Sequence, residues 1–254
     1  MPDAILTILG SGTCAATKRR SMAGYSLQAG GQHVLLDIGD GVLRRMLEAG
    51  LDYRNVDAIF ITHFHIDHIA DFLPFLWAIR YTPDYHRDVP LYLFGPPGTQ
   101  TWYRHLSRAF GDWLLELPFP VEIREVEKTT WEWQGFRIST LPMHHVEPAN
   151  GYRFEFAQTA FVYTGDTGYH ENVIRLAQKA DWLLIECSFP DKEEAIETHM
   201  TPSRVANIAA QAEVKNVILT HMYPECEKVD LVAACKKAFS GHVFRAEDLQ
   251  QFQL

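Results

Sequence analysis

His63-Phe64-His65-Ile66-Asp67-His68 sets three imidazoles and a carboxylate within a few residues of one another. The cluster directly follows the apolar run 58–61, so it falls where a strand ends and a loop or helix begins. Residues two apart in an extended backbone point the same way, so His63 and His65 can hold one ion together. Asp67 and His68 come after the turn, point elsewhere and suit a second ion. Neutral imidazole and carboxylate are ligands of zinc and of similar divalent cations. A histidine-rich surface loop is the competing reading, and four donor groups this close together argue against it.

The remaining ligands are expected past the ends of later strand-like runs. Run 136–141 leads into His144-His145, run 160–164 into Gly165-Asp166-Thr167, and run 217–220 into His221. Sheets of the α/β class gather functional residues at such carboxyl ends. His63, His65, Asp67, His68, one of His144 and His145, Asp166 and His221 would together suit two metals that share one carboxylate.

In this order, His63-x-His65-x-Asp67-His68, the later histidine, Gly165-Asp166-Thr167 and Leu219-Thr220-His221 resemble the metallo-β-lactamase superfamily, and within it the tRNase Z (ribonuclease Z) branch. The likeness runs from about residue 5 to about residue 248. Leu9-Gly10-Ser11-Gly12-Thr13 with Thr17-Lys18-Arg19-Arg20 resembles the first loop of that branch. Asp37-x-Gly39-x-Gly41 resembles an element whose aspartate braces the metal loop and binds no metal. His145-x-x-Pro148-x-x-Gly151-Tyr152-Arg153 resembles the third motif, and this selects His145 over its neighbour. The resemblance implies one metal on His63, His65 and His145, and a second on Asp67, His68 and His221. Asp166 would bridge them together with a water or hydroxide. Two ions about 3.5–4 Å apart suit phosphodiester hydrolysis. Zinc is favoured by donor type, with manganese and iron as alternatives.

The same resemblance assigns helpers. Where the branch has His-Glu-Ala-Thr, this chain reads Ile185-Glu186-Cys187-Ser188, so the carboxylate survives and the leading histidine does not. His199-Met200-Thr201 keeps the histidine of a second loop. His199 is the candidate general acid, oriented by Glu186, and Asp67 is assigned catalytic as well as ligand duty. The competing reading of His199 is a capping or core residue at the start of helix 202–212.

Processing enzymes of this branch carry a long glycine-rich arm, in one arrangement after the Gly-Tyr-Arg element. Here Gly151-Tyr152-Arg153 is followed almost at once by the next strand. The net charge is −9 and the pI about 5.7, the reverse of a nucleic-acid footprint. Lys18-Arg19-Arg20 is a small basic cluster, to be read either as a phosphate holder or as a solvated loop. The expectation is a phosphodiesterase using a bridging hydroxide on small or nucleotide-type diesters, with tRNA 3′ processing as the first alternative. Lactonase or arylsulfatase chemistry on the same scaffold follows, and a non-catalytic metal-binding module ranks last. A true β-lactamase would carry cysteine in place of Asp166, and the oxygen-reducing diiron relatives glutamate in place of His65.

These residues need a scaffold, and 254 residues at 47% hydrophobic can bury a large core. One domain spanning 1–254 is expected. Strands are read at 5–9, 25–29, 33–37, 91–94, 121–126, 153–156, 161–164, 182–186, 217–220 and 242–245. Helices are read at 40–49, ending at Gly50, and at 71–81, 99–110, 171–179, 202–212 and 230–239. Thr201-Pro202 reads as an N-cap and first-turn pair, and Gly95-Pro96-Pro97-Gly98 as a strand-to-helix turn. Periodicity gives mixed α/β; the resemblance adds a four-layer αββα sandwich of two mixed sheets flanked by helices, with metals at one edge. The aromatic segment 77–133 could form a lid or a homodimer contact, though most of its rings are expected to pack helices onto the sheet. The start Met1-Pro2-Asp3-Ala4 shows no leader pattern, no run is long enough to span a membrane, and the scattered cysteines fit a reducing cytoplasm. Cys14 is expected to be a small core residue.

Overall fold

Two seven-stranded sheets stack face to face with helices outside, the αββα sandwich of mixed sheets expected from the resemblance. The structure is a computed structural model and describes residues 4–191 and 196–254; Met1–Asp3, most of the start inspected for a leader, lie outside the described residues. The first sheet contains β1 (Ala4–Gly10), β2 (Gly24–Ala29), β3 (Gln32–Ile38), β4 (Ala58–Phe60), β5 (Leu91–Gly95) and β6 (Val121–Glu125). The second contains β7 (Thr130–Trp133), β8 (Phe136–Pro142), β9 (Asn150–Phe156), β10 (Thr159–Tyr163), β11 (Trp182–Glu186), β12 (Asn216–Thr220) and β13 (His242–Arg245). The closing strand β14 (Gln251–Gln253) returns to pair with β1.

The strand order is β14-β1-β2-β3-β4-β5-β6 in one sheet and, read in the same sense, β7-β8-β9-β10-β11-β12-β13 in the other. Each sheet has three antiparallel pairings followed by three parallel ones, so the halves are pseudo-symmetric. The parallel strands β4, β5, β11 and β12 are buried along almost their whole length, which is why they read as unbroken apolar runs. β6, at a sheet edge, carries Glu122, Arg124 and Glu125.

Between the sheets lies an aromatic layer. Phe60 stacks on Phe94 at 4.6 Å and meets Phe154 and Tyr152 edge-on at 5.0 and 5.4 Å. Outside the first sheet, α1 (Val42–Glu48), α3 (Phe72–Tyr81) and α4 (Thr99–Phe110) cover a second core of Leu35, Ile59, Phe72 and Leu93. α5 (Glu171–Ala177), α6 (Pro202–Gln211) and α7 (Leu231–Cys235) lie in the second half of the chain, and a single turn, α2 (Ile66–Ile69), follows β4. Among the described residues no helix is long and apolar enough to cross a membrane.

Several expectations need correction. Strands β7 and β14, four and three residues long, are too short to show a periodicity of their own, and they pair with β8 and β1. The helix expected over 230–239 ends at Cys235, because Phe239 turns back into the core. Thr201 occupies the N-cap of α6 without a capping bond; Asp191 accepts the Ser203 N–H at 3.1 Å instead. Cys14 is exposed, not a core residue. Of the segment's aromatics, Trp77, Tyr81 and Phe110 are about half exposed.

Candidate metal centre

The ligands expected from the sequence follow strand ends, Asp67 and His68 within the turn α2 beyond β4, and the backbone turns sharply at three such ends. Asp37 near the end of β3, Gly165 after β10 and His221 after β12 all take positive φ, at 55°, 61° and 52°. For non-glycine residues this conformation costs on the order of 1–3 kcal/mol and is tolerated where packing over-determines it, as at functional sites. At Gly165 a Cβ would come within 2.7 Å of Thr62, so glycine alone lets the Asp166 loop approach the His63 loop.

Three overlapping groups of donor atoms result, each with all its atoms within 4.8 Å of one another: His63, His65, His145 and Asp166; Asp67, His68 and His221; and Asp166, His199 and His221. His145 Nε2 lies 3.1 Å from His65 Nδ1, whereas His144 is exposed and stands in none of these groups. His68 Nε2 lies 3.3 Å from both His221 Nε2 and Asp166 Oδ1, and His221 Nε2 lies 3.4 Å from Asp67 Oδ2. Bonds of about 2.0–2.1 Å to a tetrahedral zinc put neighbouring ligand atoms ~3.3 Å apart. The observed separations match the edges of such a polyhedron.

The opposite nitrogen of most of these rings is braced by protein. His68 Nδ1 is 2.7 Å from Asp37 Oδ2, His63 Nδ1 is 3.0 Å from Thr62 Oγ1, His221 Nδ1 is 3.1 Å from Ser188 Oγ, and His145 Nδ1 is 3.3 Å from the Thr198 carbonyl. Metal-bound imidazoles are held this way, one nitrogen outward to a partner and one inward. His63 Nε2 and Asp166 Oδ1 are buried without a hydrogen bond, which a folded protein tolerates when an absent group satisfies them. The donor set therefore fits bound cations.

Charge follows the same layout. Burial, reinforced by His68, pushes His63 well below the ordinary histidine range and leaves it neutral. Burial opposes ionisation of Asp166, yet His221 and His68 hold its carboxyl well below the usual range. Burial likewise disfavours charge on His199, and Glu186 overrides it and raises the imidazole. His199 Nδ1 sits 2.8 Å from Glu186 Oε1, and Glu186 also accepts the N–H of Thr167 at 2.8 Å, the N–H of Met200 at 3.0 Å and the hydroxyl of Ser188 at 2.5 Å. His199 is thus neither a helix cap nor a core residue; its Nε2 end belongs to the ligand-bearing face.

Sequence reasoning missed the buried tyrosines that tie the sheets together beneath this face. Tyr163 in β10 donates to Asp37 Oδ2 at 2.6 Å, where Thr62 also donates through its N–H (to Oδ1, 2.7 Å) and its hydroxyl (2.8 Å). Tyr152 in β9 donates to the Ile61 carbonyl at 2.7 Å, and the Tyr25 hydroxyl in β2 lies 2.8 Å from Thr220 Oγ1. Tyr152 and Tyr25 reach from one sheet to strand ends of the other that lead into candidate ligands, and Tyr163 reaches Asp37, which braces His68. Their hydrophobic neighbourhoods in the sequence look like ordinary core, so no local signal marks them.

Two of the three residues of the basic cluster are committed to ion pairs within the protein. Arg20 is buried and bonds Glu227 at 2.7 Å, Glu247 at 2.9 Å, Ser11 Oγ at 2.5 Å and the Ala246 carbonyl at 2.7 Å. Arg19 pairs with the same two glutamates. Both arginines clamp the first loop to the C-terminal segment.

A family model described as anti-Pycsar protein Apyc1 matches residues 4–243. Ribonuclease Z of Mycobacterium sp. (strain KMS) is 32% identical over 273 residues, covering 98% of this chain and 95% of that protein. Among solved structures, the metallo-β-lactamase fold protein YhfI from Bacillus subtilis superposes with a TM-score of 0.83 at 23% identity, covering 98% of both chains. A diphosphatase from the PhnP family superposes with a TM-score of 0.73 at 21% identity, covering 99% of this chain and 98% of that one.

Proposed function

For a chain that belongs to the anti-Pycsar Apyc1 family and is homologous to ribonuclease Z, we propose a binuclear metal-dependent phosphodiesterase acting on small or nucleotide-type diesters. The observation that carries this reading is the donor set itself. His63, His65 and His145 would hold one divalent ion, Asp67, His68 and His221 a second, and Asp166 faces both groups, with Oδ1 3.3 Å from His68 Nε2 and Oδ2 3.7 Å from His145 Nε2. Zinc suits these nitrogen and carboxylate donors best, with manganese or iron as alternatives. When bound, such a pair supplies a lowered pKa for an attacking water and charge neutralisation for the phosphoryl group.

The chain's own groups do the rest. Water gives one proton to Asp67 and attacks phosphorus, a new P–O bond forms, and the bond to the leaving oxygen breaks. His199, protonated and held by Glu186, gives its Nε2 proton to that oxygen. Small diesters are favoured over tRNA because β10 begins at Thr159, three residues after β9 ends at Phe156, leaving no room for an arm there, and because the arginines of the first loop are neutralised by Glu227 and Glu247. The identity to ribonuclease Z along nearly the whole chain is what favours tRNA 3′ processing as the second reading.

Hydrolysis of bis(p-nitrophenyl) phosphate by metal-reconstituted protein tests the first reading. Turnover should require metal and disappear in Asp166→Ala, which should also lose at least one ion. Two bound ions without turnover would refute it, and cleavage of unprocessed tRNA in place of the small diester would move the assignment to the second reading.

The reading includes a homodimer. Ala70, Leu73, Pro74, Trp77, Phe110 and Trp113 line an apolar groove, and exposed Tyr81 packs against Trp77 with ring centroids 4.4 Å apart. Contiguous apolar patches of this kind mark contact surfaces. Trp77→Glu should lower the sedimentation mass from dimer to monomer; an unchanged mass removes this contact. Four unpaired cysteines support a reducing compartment such as the cytoplasm.

A further inference from the structure

Tyr223 follows His221 by two residues, where the chain leaves β12. Its ring stacks on Phe189 with centroids 4.7 Å apart and planes at 18°, and meets His221 edge-on at 6.5 Å. Phe189 in turn lies edge-on to His199 at 5.7 Å. The Tyr223 N–H donates to the Ser188 carbonyl at 3.3 Å, so the loops after β11 and β12 are joined and present one aromatic wall beside His199 and His221.

Stacking fixes the plane of the phenol and directs its hydroxyl across to the first loop, 3.3 Å from Cys14 Sγ. The N–H of Cys14 donates to Asp67 Oδ2 at 2.9 Å, the oxygen that faces His221 Nε2 at 3.4 Å. A single residue therefore separates the hydroxyl from the ligand group. Tyr152 and Tyr163, by contrast, spend their hydroxyls on a carbonyl and a carboxylate inside the core. Sulfur is a weak hydrogen-bond partner, and the Cys14–Tyr223 contact is exposed to solvent. A stronger acceptor arriving at the site would displace it.

We propose that the Tyr223 hydroxyl is a substrate-contacting group, which exchanges the Cys14 thiol for a non-bridging oxygen of a phosphodiester seated at the His/Asp cluster. No covalent bond changes in this step; one hydrogen bond is traded for a charge-assisted one. Such bonds are short and about twice as strong as neutral ones, so their loss weakens binding by about tenfold or more. The inference rests on the phosphodiesterase reading, and phosphate binding separates the two.

The experiment is calorimetric titration of inorganic phosphate into metal-loaded protein, with metal content measured on each sample. Tyr223→Phe should bind phosphate about tenfold more weakly at unchanged metal content, and the KM for bis(p-nitrophenyl) phosphate should rise in parallel. Cys14→Ala, which removes only the competing thiol, should retain wild-type affinity or bind more tightly. Equal affinity in wild type and Tyr223→Phe overturns the proposal, as does a loss of metal in that variant or an absence of phosphate binding in the wild type. If Tyr223→Phe weakens phosphate binding but the wild type hydrolyses no diester, the tyrosine contact stands and the phosphodiesterase reading falls.

Discussion

The proton-donor role proposed for His199 falls to one nitrogen, because Glu186 occupies the other at 2.8 Å. A proton delivered from Nε2 matters in proportion to how poor the leaving group is. His199→Ala should therefore slow hydrolysis of alkyl phosphodiesters by about 10²–10⁴-fold, yet leave p-nitrophenyl esters, whose leaving group needs no proton, much less affected. Elemental analysis decides what that means. Full metal content with a leaving-group-dependent loss supports a proton donor. A lost ion would instead make His199 a ligand, in keeping with its place beside Asp166 and His221. Apart from the family pattern, the sequence presents His199 only as a histidine three residues before a proline; the carboxylate that holds its ring is thirteen residues back along the chain, at the end of β11.

At the scale of elements, strand ends aim the ligands and the opposite sheet holds those ends in place. Tyr163 is the clearest case, since its hydroxyl is one of four donors to Asp37, together with His68 and both donors of Thr62. Tyr163→Phe removes that donor without opening a cavity. Chelator competition should show metal affinity falling by about 10–100-fold at the group containing His68, and urea unfolding a loss of about 1–3 kcal/mol. Unchanged metal affinity would reduce the tyrosine to packing. Strands such as β11, seen in the sequence over 182–186 and in the structure over Trp182–Glu186, are legible because burial on both faces forces an unbroken apolar run. β7 and β14 are not, because they are too short to show a periodicity of their own.

For the molecule as a whole, stability carries a pH dependence that lies away from the metal centre. His33 is buried, with its Nε2 on Ser26 Oγ at 2.8 Å, and burial lowers its pKa to about 4 despite some opposition from Asp52. The unfolded chain therefore binds this proton between about pH 6.5 and 4 while the folded chain does not. Stability from this group is complete above about pH 6.5 and is lost as pH falls toward 4, by up to about 3 kcal/mol. His33→Gln should flatten that part of the stability profile measured by urea unfolding; parallel profiles would show that His33 is not responsible.

By itself the sequence determined the chemistry and its address. His63-x-His65-x-Asp67-His68, His145, Asp166 and His221 follow apolar runs, and a strand's period of two already makes His63 and His65 neighbours. Glu186 and His199 were legible only through the family pattern. Tertiary structure alone decided that seven candidate donors from two sheets meet in groups whose atoms lie within 4.8 Å of one another, that Arg20 serves an ion-pair clamp, and that Cys14 meets Tyr223. The physical reason is range. Periodicity and local propensity report on neighbours a few residues apart, whereas these contacts join groups as distant along the chain as Asp67 and His221, and only sheet stacking brings them together.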